Sequence, residues 1–283
     1  MKRVLLPLLL LALCSIAFAQ KADEGKDVPK LTAEEIIAKH TTSIGTPEAL
    51  AAVKTRILTG VGTFTAKNSP GKIGGPAQFA TDRQKMLLVM VLNANDYPSE
   101  KVGFDGKEVA TATLPNGRFS QLAGFLKSNK FVVKRGLFGG VLNGGWPLLN
   151  PDKDVKFQYA GTVKVGDRNA YKLKFSSPGI GDTVVSLFFD AETFRHVRTE
   201  YFYRVNQIMT PNPDRPATLT STAASHYTLT EDFSDFTKVD NIILPLSYVI
   251  EYSSDAGKPV VWTVKFSQAY NNQPLEASVF SVS

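Results

Sequence analysis

Along most of the chain, apolar and polar residues alternate with a period of two. Tyr171, Leu173 and Phe175 alternate with Lys172 and Lys174. Val197, Thr199, Tyr201, Tyr203 and Val205 alternate with Arg198, Glu200, Phe202 and Arg204, and Trp262, Val264 and Phe266 repeat the pattern. Thr55 to Thr65 is rich in β-branched residues, and Lys85 to Leu92 is an almost continuous apolar strand. Phe104-Asp105-Gly106-Lys107 signals a tight hairpin, because Asp-Gly accepts the positive φ of a type I′ turn. Gly166-Asp167, Asp190-Ala191-Glu192-Thr193 and Asp255-Ala256-Gly257 supply further turns. The pattern predicts about 10–11 strands at hairpin spacing.

Helical periodicity is confined to two stretches, 32–54 and 118–143. Thr32-Ala33-Glu34-Glu35 is a capping box, followed by Ile36, Ile37, His40 and Ile44 at helical spacing, with Gly45 as a stop. Thr46-Pro47 restarts a short helix carrying Leu50 and Val53. No strand–helix–strand alternation occurs, which excludes a parallel nucleotide-binding sheet. The fold class is therefore α+β: a large curved antiparallel sheet with a few helices covering one face. So few helices do not cover so many strands, so the sheet either closes on itself or leaves a groove.

The middle of the chain draws attention as a site. Phe119, Leu122, Ala123, Phe125 and Leu126 have helical spacing, and Leu137, Phe138, Leu142 and Trp146 follow in an apolar run. Gly136, Gly139, Gly140, Gly144 and Gly145 thread through it, each weakening a helix by up to about 1 kcal/mol relative to Ala. Two readings stand: a hinged apolar cover over the sheet, or an ordinary helical pair with Gly-rich turns. Met86, Leu88, Met90 and Leu92 share one strand face, which places them either in a cavity or in the core.

The amino terminus changes the setting. Met1-Lys2-Arg3 is basic, Val4 to Phe18 is apolar, and Ala17-Phe18-Ala19 is a small-residue cleavage pattern. Residues 1–19 are thus expected to be a secretory signal peptide cleaved after Ala19. The run is too short for the roughly 20 residues of a membrane span. Leu13 before Cys14 argues against a lipoprotein signal. Residues 20–30 read as a flexible polar tether and 31–283 as a single domain. Of the 283 residues, Cys14 is the sole cysteine, so the mature chain would have none, which suits an oxidising compartment such as the periplasm. The chain carries 32 Lys and Arg against 26 Asp and Glu, without a basic run, so nucleic acid is not an expected partner.

Catalytic chemistry finds little footing. No G-x-S-x-G elbow occurs, and His40, His196 and His226 form no H-x-x-x-H or H-E-x-x-H pair. His40 reads as packing on a helix face; His196 and His226 are the histidines that a hydrolase would use. Glu231, Asp232 and Asp235 read as a solvated polar turn rather than a metal site, and Gly71-Lys72-Ile73-Gly74-Gly75 as a flexible hairpin loop. A non-enzyme is expected, with no metal and no cofactor.

Several short patterns, in order, resemble the periplasmic outer-membrane lipoprotein-sorting carrier family (the LolA/LolB-like fold). Phe104-Asp105-Gly106-Lys107 is similar to its x-D-G-K turn, and Phe189-Asp190-Ala191-Glu192-Thr193 with Val197-Arg198 to a second hairpin. Asp235-Phe236, Val239-Asp240-Asn241 and Leu244-Pro245 resemble a third segment; Asn271-Asn272-Gln273-Pro274-Leu275 with Val279-Phe280 resembles the family's ending. The opening Ile37, His40, Ile44-Gly45 and Ala49-Leu50 adds to the likeness, which spans about residues 32–280. The resemblance implies an unclosed β-barrel wrapped round helices. It also implies a hydrophobic cavity under a helical lid at 119–149 and binding of lipid or lipoprotein acyl chains without covalent chemistry. Met86, Leu88, Met90, Leu92, Phe119, Leu122, Phe125, Leu126, Leu137, Phe138, Leu142 and Trp146 would bind the ligand. Arg83 matches the family's lid-tethering arginine, although Gln84 stands where a proline usually follows. The alternative on the same fold is a sensor module that binds an envelope protein. A monomer is expected.

Overall fold

The computed structural model describes residues 28–66, 71–205, 208–212, 215–222, 225–255 and 257–282. The expected signal peptide and most of the expected tether lie outside them. Two helices open the chain, α1 (Ala33–Ile44) and α2 (Pro47–Ala52). Both start as the sequence dictates: Thr32 and Glu35 form a reciprocal capping box, and the Thr46 hydroxyl accepts from the Ala49 amide.

Strands β1 (Thr55–Ala66), β2 (Lys72–Asp82), β3 (Lys85–Val91), β4 (Ser99–Phe104) and β5 (Val109–Thr111) follow as a meander. A long connection carries α3 (Gln121–Ser128), α4 (Phe131–Lys134) and one 3-10 turn (Gly140–Leu142). The chain then forms β6 (Lys156–Val165), β7 (Arg168–Ser176), β8 (Val184–Asp190) and β9 (His196–Val205). A two-stranded hairpin of β10 (Ile208–Asn212) and β11 (Arg215–Thr222) stands apart. Strands β12 (Ser225–Val239), β13 (Ile242–Ser254) and β14 (Gly257–Asn271) complete the sheet.

Twelve strands form one sheet in the order β5-β4-β3-β2-β1-β14-β13-β12-β9-β8-β7-β6. The expected α+β class with an unclosed curved antiparallel sheet is what the structure has, with twelve strands in place of about 10–11. Strands β1 and β14 pair as the fifth and sixth of the twelve, and β5 and β6 are the two free edges. Because β5 and β6 are consecutive in the chain, their connection has to cross the sheet from edge to edge. That crossing is why α3, α4 and the glycine-rich segment lie over the concave face.

The concave face and its helices form a single large core, including Leu58, Phe79, Met86, Leu88, Met90, Leu187, Phe189, Ile250, Trp262 and Val264. On the opposite face, Phe280 packs on Ala80 and Leu87. Helix α1 buries Ile36, His40 and Ile44, and an isolated bridge from Gly45 to Ile242 pins its end.

Four local readings change. The helical stretch 118–143 is broken into α3, α4 and irregular chain, because Gly136, Gly139 and Gly140 all adopt positive φ, which an α-helix cannot hold. Residues 72–75 are not a loop: they begin β2, pairing with Thr65, Phe64, Thr63 and Gly62. The Asp105-Gly106 turn is a four-residue loop, closed by the Asp105 carboxylate accepting from the Lys107 and Glu108 amides. Glu231, Asp232 and Asp235 are not a solvated turn; all three lie within β12, and Glu231 is wholly buried.

Candidate functional site

The cover is built from its own backbone bonds. Ser120 caps α3 by accepting from the Ala123 amide, and α3 buries Leu122, Ala123, Phe125 and Leu126. Helix α4 buries Val132 and Val133. Beyond it the chain descends onto the sheet. A Cβ on Gly139 would lie 2.6 Å from the Phe79 ring, and one on Gly140 would lie 2.8 Å from His196 Nδ1. Only glycine lets the backbone lie this close to the sheet, and both positions also need positive φ.

Two buried ionisable groups on the sheet hold this stretch. Glu231 of β12 is 0% exposed, and its Oε1 accepts from the Gly139 amide at 2.7 Å. It also accepts from the Tyr201 hydroxyl at 2.6 Å and from the Tyr248 hydroxyl. Register explains this trio. Glu231 sits opposite Thr199 of β9 and Ile250 of β13, so Tyr201 and Tyr248 lie two residues along on the neighbouring strands, on the same face. Burial lifts the Glu231 carboxyl to about 7, the three donated hydrogen bonds opposing that rise.

Arg56 of β1 is the second holder, 7% exposed. Its Nη1 donates to the carbonyls of Val141 at 2.9 Å and Leu142 at 3.3 Å, and its Nε donates to Asn271 Oδ1 at 3.3 Å. Its strand neighbours are Thr81 and Asn271. Burial lowers the guanidinium to about 10, so it stays charged at neutral pH. The acid thus takes an N–H of the cover and the base gives to two of its carbonyls.

The buried histidines sit beside this contact. His40 Nδ1 donates to the Phe194 carbonyl at 3.0 Å, leaving Nε2 to accept from Trp146 Nε1 at 3.2 Å. That pairing suits a neutral ring, and burial lowers His40 to about 4. His196 stacks between Trp146 and Phe233, with ring centroids 4.7 and 4.8 Å away. Its Nε2 meets the Thr199 hydroxyl, its Nδ1 has no hydrogen-bond partner among the described residues, and burial holds it well below the ordinary value. His226 lies apart at the β12 end, half-buried and paired with Asp255 at 2.7 Å. A second buried acid, Glu100, accepts from Tyr97, which in turn accepts from Trp262 Nε1 at 2.7 Å; burial lifts Glu100 to about 7. Among the described residues no group of three His, Cys, Asp or Glu could hold a metal ion.

The residues singled out from sequence mostly converge. Met86, Leu88, Met90 and Leu92 face the concave side, fully buried beneath Leu122, Phe125, Leu126, Leu137, Phe138, Leu142 and Trp146 of the cover. Phe119 does not join them. It is exposed at the margin, with Lys127 Nζ 4.0 Å above its ring. Arg83 lies exposed on the β2–β3 turn, at φ +54°. The arginine that reaches the cover is Arg56.

A cleft of ≈ 510 Å³ opens where α2, the β2–β3 turn and the foot of the cover meet. Its lining includes Lys54, Arg56, Thr81, Arg83, Gln84 and Asn143 on the polar side and Pro47, Leu50, Val53, Leu148 and Leu149 on the apolar side.

Solved structures similar to this chain include the LolA superfamily protein NE2245 from Nitrosomonas europaea. It is 14% identical over 89% of this chain and 99% of that one, with a TM-score of 0.46. A DUF1329 family protein from Desulfovibrio piger is 10% identical over 88% and 96%, with a TM-score of 0.49. MucB, solved in complex with MucA, is 9% identical over 86% and 100%, with a TM-score of 0.22. No family model and no curated protein matches the sequence. These likenesses carry no function across to this chain.

Proposed function

We propose that the chain is an exported, non-enzymatic carrier that holds lipid or lipoprotein acyl chains between the concave face and the cover at 119–149. The observation that carries this reading is the way the cover is held. Residues 139–142 are fastened to an apolar face by Glu231 and Arg56 through backbone atoms alone. Such contacts are reversible without unfolding the sheet. Displacing the cover uncovers Phe79, Leu88, Met90 and their neighbours, and an acyl chain re-covers such a surface at about 0.8 kcal/mol per methylene. A chain of about twelve methylenes would gain on the order of 10 kcal/mol, which offsets part of the loss of the cover's own contacts.

On this reading Met86, Leu88, Met90 and Leu92 form the floor, and Leu122, Phe125, Leu126, Leu137, Phe138, Leu142 and Trp146 the roof. Residues 1–19 direct export to the periplasm, residues 20–30 are a spacer, and 31–283 form one domain. Among the described residues no helix is long and apolar enough to cross a membrane.

The test is native and denaturing mass spectrometry of the chain from Gln20 onward, purified from a bacterial periplasm. An excess mass that disappears on denaturation and matches a phospholipid or acylated peptide is expected. A clean apo mass, with no later uptake of a fluorescent fatty acid, would overturn the carrier reading and favour a sensor module that binds an envelope protein.

A further inference from the structure

The cleft beside α2 has a charge pattern that the covered interior lacks. Three cations, Lys54, Arg56 and Arg83, line it, and no carboxylate does. Two of its polar side chains are deeply buried and incompletely used. Arg56 spends Nη1 and Nε on protein acceptors, while its Nη2 finds none among the described residues. Thr81, 2% exposed and directly opposite Arg56 across the β1–β2 ladder, makes no side-chain hydrogen bond among the described residues. Arg83 and Gln84, on the turn above, are equally free of side-chain partners there. A buried guanidinium without a carboxylate is costly unless something anionic comes to it. The carboxylates around it are engaged elsewhere: Asp82 pairs with Lys85, Asp240 accepts from Asn271 and Asp152 is taken by Arg135 at 2.6 Å.

The opposite wall is apolar: Pro47, Leu50, Val53, Val141, Leu148 and Leu149. We infer that this cleft binds the anionic head of an amphiphile, a phosphate or phosphate ester. Arg56, Thr81 and Arg83 would contact the oxygens, and the apolar wall would take the first part of the tail. The inference rests on the carrier reading and names the class of its ligand. Arg56 then has two tasks, holding Val141 and Leu142 with one nitrogen and reading the head with another. A planar guanidinium fork serves both with separate, fixed nitrogens.

Binding is measured with three probes: dihexanoyl phosphatidate, inorganic phosphate and the zwitterion dihexanoyl phosphatidylcholine. The readouts are the Arg56 Nε–Hε resonance and calorimetric affinity, for the intact site and for Arg83→Gln and Thr81→Val. Both substitutions leave Arg56 and the cover in place. Phosphatidate should shift the Arg56 resonance and bind at least about tenfold more tightly than phosphate, and Arg83→Gln should weaken it about five- to tenfold. Equal affinities for phosphate and phosphatidate would overturn the amphiphile and leave a free-anion site. Equal affinities for phosphatidate and phosphatidylcholine would show that charge is not read and overturn the inference. So would an unmoved Arg56 resonance with all three probes. In either case, co-purified lipid would still decide the carrier reading separately.

Discussion

Replacing Glu231 by Gln tests whether the buried acid at the cover behaves as its surroundings dictate. Folding lifts this carboxyl from an ordinary 4.5 to about 7, chiefly by burial. The native state therefore binds more protons than the unfolded chain between those two values. The stability it contributes is fully present below pH 4.5 and is lost as pH rises through 7. Each unit of that shift corresponds to about 1.4 kcal/mol. Integrated between pH 5 and pH 8, the ionisation of Glu231 costs the folded state about 2–3 kcal/mol. Gln has nearly the same shape, keeps a carbonyl for the Gly139 amide and does not titrate. Its fixed cost, from the mismatch of an NH2 group with Tyr201 or Tyr248, is the same at both pH values. The quantity to read is thus the change in the stability difference, by urea unfolding at pH 5 and pH 8. The variant should gain about 2–3 kcal/mol on wild type between those conditions. A stability difference independent of pH would refute the reasoning, because Glu231 would then ionise alike in folded and unfolded chains.

Arg56→Met leaves the carbonyls of Val141 and Leu142 without a donor and should cost about 1–3 kcal/mol. Hydrogen exchange should quicken most across residues 136–146; uniform quickening through the strands would show that Arg56 serves the sheet instead. Gly140→Ala places a methyl group 2.8 Å from His196 Nδ1 at φ +51°, and thermal unfolding should show a loss of about 1–3 kcal/mol. Leu126→Ala should cost about 2–5 kcal/mol, whereas Phe119→Ser should change stability by less than about 1 kcal/mol, since one is buried and the other exposed. His40→Asn should remove a folded-state imidazole held near 4 and so flatten the loss of stability on acidification from pH 6.5 to 4, read by the same urea titrations.

Strands such as β7 and β14 were legible because one face is covered and the other is more open to water. The alternation in 171–175, 197–205 and 262–266 is the record of that difference, and the turns at Gly166, Asp190 and Asp255 mark its breaks. The cover was half legible: its apolar residues were visible, but its path depends on positive-φ glycines lying against Phe79 and His196, contacts that no periodicity encodes. Glu231 and Arg56 were missed because charged residues usually face water, and three neighbouring acids look like a turn. A signal was nonetheless present. Leu229, Glu231 and Phe233 share one parity of β12, as Arg56 and Leu58 do in β1, so each charge stands on the inward side. An ionisable residue in phase with the apolar face, rather than its neighbours' composition, marks the buried groups.

Topology decides how freely the cover can move. The backbone of residues 121–150 makes its backbone–backbone bonds within itself or to Ser120, and none of these residues belongs to a strand. Lifting the segment therefore breaks no rung of the twelve-stranded ladder. What resists is local and includes the bonds to Glu231 and Arg56, the Thr183–Asn129 and Trp146–His40 hydrogen bonds, the exposed ion pairs of Lys130 and Lys134 with Glu108, and the apolar contacts beneath. Strands β1 and β14 pair with each other and join the two halves of the sheet without any residue of the cover. Opening is thus a sub-global event whose free energy is set by the cover and not by the sheet. A ligand that replaces the apolar contacts need only compensate for a handful of polar ones, chief among them the bonds to Glu231 and Arg56.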